Sequence, residues 1–111
     1  MNIKNTITSL PLSQQVALWV ILKIKGSNEK KFRFSSSDFA KTFRPFVKSY
    51  LSTDPKEYGK FVGATLSGLM RNKILIKLTG DRDKLWTLSD NVKNNFKEFK
   101  NGLSEMKTYW N

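Results

Sequence analysis

Cysteine and histidine are both absent from this 111-residue chain. Without them it cannot build a thiolate or imidazole metal site, a cysteine nucleophile, a Ser-His pair or a histidine proton shuttle. No disulfide can form, which fits a reducing cytoplasm. The longest apolar run, residues 16–22, falls far short of the roughly 20 residues that a bilayer span needs. Residues 1–6 are not followed by a signal-peptide core. The expectation is therefore a protein with no metal, no cofactor and no membrane span, acting by binding and not as an enzyme.

Acidic residues are also scarce. Nine Asp and Glu stand against 20 Lys and Arg, giving a formal charge of +11 and a sequence pI near 10. Such a surface attracts polyanions. A ribosomal protein, a membrane-surface protein or a merely soluble basic domain carries the same excess, so charge points to nucleic acid without deciding it. With 39% hydrophobic residues, 13% of the chain being aromatic, the sequence can fill one ordinary core, and its length leaves no room for a second domain.

The few prolines and glycines punctuate the chain. Residues 1–12 are polar with scattered Ile3, Ile7 and Leu10 and read as an N-terminal arm, which Pro11 closes. Ser13 is the expected cap of a helix over residues 14–25, apolar on most faces and therefore central, with Gly26 as its stop. Residues 31–34 alternate polar and apolar, as in a short strand. Ser35 and Asp38 have capping-box spacing ahead of Phe39, Ala40 and Phe43. Pro45 breaks or kinks that helix, after which Phe46, Val47, Tyr50 and Leu51 resume helical spacing.

The clearest boundary is Asp54-Pro55-Lys56-Glu57: an N-cap, a proline at the first helical position and a capping-box Glu. The helix it starts carries Tyr58, Val62, Leu66, Leu69 and Met70 at helical spacing and is expected to end near Asn72, in the left-handed conformation. Its other face is Lys56, Lys60, Gly63, Ala64, Ser67 and Arg71. Residues 74–78 and 84–88 are β-prone runs around a turn-rich stretch, 79–83, and make a hairpin. Ser89 then caps a last helix in which Val92, Phe96, Phe99, Leu103, Met106 and Tyr109 or Trp110 form one stripe down roughly 30 Å.

This order of helix, strand, helix, helix, strand, strand, helix resembles the winged helix-turn-helix superfamily over residues 13–89. Two stretches carry the likeness. Phe34-Ser35-Ser36-Ser37-Asp38-Phe39-Ala40 resembles the family's strand-to-helix entry, and the stretch from Val62 through Gly63, Ala64 and Ser67 to Leu75 is similar to its recognition helix and exit into the wing. The resemblance implies an α+β, mainly helical fold: a three-helix core, a C-terminal β-hairpin wing and, over residues 90–111, a long C-terminal helix. It implies double-stranded DNA as partner, with the helix from Pro55 in the major groove and the hairpin tip at Arg82 on the backbone or minor groove. The connection over residues 44–54 is longer than the family's tight turn.

Candidate DNA contacts are Lys56, Lys60, Gly63, Ala64, Ser67, Arg71, Lys73, Lys77, Arg82 and Lys84. The small residues among them admit two readings, close approach to DNA or close packing against a neighbouring helix, and the basic ones are either phosphate contacts or a solvated face. Asp81 and Asp83 are ordinary turn chemistry. Trp19, Phe43, Phe46 and Trp86 are core, or else line a sensing pocket. The C-terminal stripe either packs on its own domain or pairs with a second copy through Val92, Phe96, Phe99, Leu103, Met106 and Trp110. The homodimer is preferred, because so long a helix outruns a small core. The expected function is a homodimeric transcriptional regulator of the cytoplasm, associated with the nucleoid. The alternative is a winged-helix module holding proteins together in a replication, transcription or other nucleic-acid machine.

Overall fold

Asn2 accepts a hydrogen bond from the Asn5 amide on its side chain (3.1 Å) and so opens a helix where the sequence suggested only an arm. The computed structural model describes residues 2–24, 32–47, 55–78 and 84–107, with α4 side chains described from Glu57 onward. In it α1 (Ile3–Thr8) belongs to the core: Ile7 is fully buried and Leu10 nearly so. The helix lies against α6 (Phe96–Met106), and Gly102 makes that approach possible, since a Cβ there would sit 2.7 Å from Ile7 Cδ1.

α2 (Leu12–Lys23) begins two residues before its expected start. Its cap is Pro11, not Ser13, and the Pro11 carbonyl accepts from the amides of Gln14 and Gln15, both at 3.0 Å. Every residue from Ala17 to Leu22 is buried, so α2 is the central helix its composition demanded. α4 (Pro55–Arg71) and α6 both pack on it. Gly26, its expected stop, lies outside the described residues.

The first strand shrinks to β1 (Phe34–Ser35), after which Ser35 caps α3 (Ser36–Phe43) as expected, its Oγ accepting from the Asp38 amide at 3.0 Å. Phe39 and Phe43 are fully buried and stack at 4.8 Å. Pro45 ends the helix in a single 3-10 turn, Arg44–Phe46, and Val47 is extended, so helical spacing does not resume there. Tyr50, Leu51 and the Asp54 cap lie outside the described residues.

α4 buries Tyr58, Val62, Leu66 and Leu69, whereas Met70 stays 38% exposed. The helix closes with the Ile74 amide on the Leu69 carbonyl (2.9 Å) and the Lys73 amide on that of Met70 (3.0 Å). The left-handed residue is Lys73, φ 61°, and not Asn72, whose side-chain amide donates to Gln14 Oε1 at 2.8 Å.

β2 (Leu75–Lys77) and β3 (Leu85–Leu88) pair antiparallel, and β1 pairs with the far side of β3, giving the order β1-β3-β2. Phe34, Trp86 and Lys77 are aligned across the three strands and share one face. The class is thus α+β, mainly helical, with a small three-stranded antiparallel sheet.

The last helix is two. α5 (Asp90–Asn94) ends at Asn95 (φ −121°, ψ 31°), where α6 begins, so no continuous 30 Å stripe forms. Val92, Phe99 and Leu103 are fully buried within the chain, and Phe96 and Met106 are half-buried against the same core. α1 and α2 of the same chain pack on α6, so Phe99 and Leu103 are covered from within the chain. Trp110 lies outside the described residues.

Candidate nucleic-acid interface

With its inner residues committed to the core, α4 turns Lys60, Gly63, Ala64 and Arg71 outward, and Ser67 is half-exposed. Gly59, one turn before Gly63, joins them. At Gly59 and Gly63 an added Cβ would meet nothing within 4 Å, so close packing among the described residues accounts for neither. Gly68 is the opposite case. A Cβ there would lie 2.3 Å from Gln14 Nε2, and the glycine seats α2 on α4. The packing reading therefore holds at Gly68 and, among the described residues, not at Gly59 or Gly63.

The open glycines form part of a groove of about 460 Å³. Its α4 side consists of Gly59, Lys60, Gly63, Ala64 and Ser67, with Val62 and Leu66 beneath them. Ser36 and Ser37 at the start of α3, Lys84 and the edge of Trp86 make the other side. The far wall is tied together locally. The Trp86 indole N–H donates to Ser36 Oγ at 2.8 Å, and the Ser36 amide donates to the Lys84 carbonyl at 3.0 Å. A buried tryptophan thus fixes the strand to the helix start and sets the groove's width.

Lys60 and Lys84 face the groove from its two sides, and among the described residues no carboxylate lines it. Lys77 stands opposite Trp86 on the same sheet face, while Arg71 and Lys73 are exposed where α4 leaves for β2. Among the described residues none of these five cations forms an ion pair.

On the inner side of α4, the Tyr58 hydroxyl donates to the Ala40 carbonyl and joins α4 to α3. Burial pushes this phenol above its ordinary value, and the Arg44 guanidinium, 4.5 Å over the ring, partly offsets the rise.

Of the residues singled out in the sequence, Lys60, Gly63, Ala64, Ser67 and Lys84 meet at the groove, and Arg71, Lys73 and Lys77 lie outside its lining. The Lys56 side chain, Arg82 and the turn carrying Asp81 and Asp83 lie outside the described residues. Ser36, Ser37, Gly59 and Trp86 were missed. Gly59 was legible, being four residues before Gly63 and hence on the same face. The serines and Trp86 reach the groove only through strand pairing. Trp19, Phe43 and Trp86 are core, while Phe46 is 39% exposed. Among the described residues, no group of three or more acidic, Cys or His residues gathers as a metal site, and no helix is long and apolar enough to cross a membrane.

No protein family, curated protein sequence or solved structure matches this chain.

Proposed function

We propose that this chain is a winged-helix protein that binds double-stranded DNA, with α4 against the duplex and the β2–β3 hairpin as the wing beside it. The element order and the strand order β1-β3-β2 support the assignment. The observation that carries the function is the outward face of α4: two glycines with open space above them, set among cations that have no carboxylate partner among the described residues. A helix interior loses about 1 kcal/mol at each Gly relative to Ala. Where no described neighbouring atom requires the glycine, close approach of a ligand is a physical use that offsets this cost. The positive field selects a polyanion.

Fluorescence anisotropy of a labelled duplex over a salt series tests this reading. Five phosphate contacts, one for each of Lys60, Arg71, Lys73, Lys77 and Lys84, give a slope of log K against log salt of about −4. Charge reversal at Lys60 and Arg71 abolishes binding and leaves the fold intact, both side chains being exposed. Absent or salt-insensitive binding refutes the proposal.

A further inference from the structure

We propose that the groove between α4 and β3 seats one sugar-phosphate strand of the duplex, so that this face discriminates little among base sequences. The inference rests on the duplex-binding reading above. Reading a base edge takes a long side chain with paired donors or acceptors, as when Arg meets guanine or Asn and Gln meet adenine. The α4 side of the groove offers Gly59, Gly63, Ala64 and Ser67, none of which reaches beyond a hydroxyl. Its charged side chains are Lys60 and Lys84, one from each side. A lysine ammonium is a compact point charge with three freely rotating donors, suited to a phosphate and poorly suited to bidentate reading of a base.

The missing side chains have their own consequence. With nothing within 4 Å of a Cβ at Gly59 or Gly63, a ligand can approach the α4 backbone more closely than any side-chain-bearing helix allows. A phosphodiester strand lying there meets cations on both sides and, among the described residues, no lining carboxylate. Arg71, the long donor-rich side chain of this helix, sits at its C-terminal end outside the groove, whereas helices that read the major groove do so through N-terminal residues. The groove thus recognises what all duplexes share.

The test measures the full chain against labelled all-A·T, all-G·C and mixed-sequence duplexes, and against the winners of a selection from a random pool. Affinities within about tenfold of one another are expected, where sequence-specific proteins separate their site from other DNA by about 10³-fold or more. The double variant K60Q/K84Q should weaken every duplex by the same factor and make the salt slope shallower by about 2. A selected motif bound more than about a hundredfold tighter than the pool overturns the inference while leaving duplex binding standing. So does a K60Q/K84Q loss that depends on sequence. Failure to bind any duplex at about 50 mM salt overturns the duplex reading itself, and this inference with it.

Discussion

Gly63→Ala separates a glycine kept for the fold from one kept for a ligand. Gly63 lies in the interior of the 17-residue α4, and an added methyl meets no atom within 4 Å. The substitution therefore brings the helix-propensity gain of about 1 kcal/mol without a steric penalty. For a domain of this size that raises Tm by about 4 °C. Gly68→Ala, one turn and a residue further along the same helix, is the internal control. The new Cβ would fall 2.3 Å from Gln14 Nε2, and moving that side chain breaks the 2.8 Å hydrogen bond from Asn72 to Gln14 Oε1. A hydrogen bond of this part-buried kind is worth about 1 kcal/mol, so the propensity gain is offset and overpacking tips the balance to net destabilisation. Thermal and urea unfolding of both variants without DNA gives the stabilities, and anisotropy gives the duplex affinities. Gly63→Ala should be more stable than the parent and bind several-fold more weakly. A destabilised Gly63→Ala would mean that the fold itself needs this glycine and that the open face is not kept for a ligand.

Three further outcomes follow from the same packing. Lys73→Gly should raise stability by about 1 kcal/mol, because the lysine holds φ 61° at a position where glycine is unstrained, and should lower duplex affinity by removing an exposed cation; a loss of stability on urea unfolding would contradict the assignment of Lys73 as the strained closing residue. Phe99→Ala should cost about 3–5 kcal/mol and bring cooperative unfolding into reach near room temperature, since the ring is fully buried against the chain's own core; a stably folded variant whose only change is in sedimentation would instead restore the homodimer stripe. Tyr58, raised by burial, keeps its proton in the folded state after the unfolded chain has lost it, so its stabilisation is fully present below about pH 10 and declines as pH rises through the folded value. Absorbance titration of parent and Tyr58→Phe should differ by one tyrosine that ionises above its ordinary value, and Tyr58→Phe should flatten the alkaline fall in stability; identical alkaline curves for parent and variant would refute the role given to burial.

Much of the fold was legible because local chemistry and hydrophobic period pointed the same way. Ser35 before Asp38, Pro55 ahead of Tyr58, Val62, Leu66 and Leu69, and the two β-prone runs around residues 79–83 each specify a local element. The ends of the chain were less legible for a shared reason. Ile3, Ile7 and Leu10 are too few to declare a helix, and the stripe from Val92 to Met106 says that a face is buried without saying against what. The two uncertainties resolve each other: α1 covers α6, with Gly102 admitting Ile7. A periodicity reports a buried face, and only the partner helix decides whether the cover comes from the same chain.

The same division runs through the candidate site. The sequence by itself determined that the chain has no imidazole or thiol chemistry, that it carries a charge of +11, and that one helix face between Lys60 and Arg71 is small and basic. Those are properties of residue types and of a fixed helical period. Tertiary structure decided which glycine faces open space and which faces Gln14, and it brought Ser36, Lys84 and Trp86 to the side of α4. These are distances between elements far apart in the chain. Strand pairing and helix packing set them, and no local propensity encodes them.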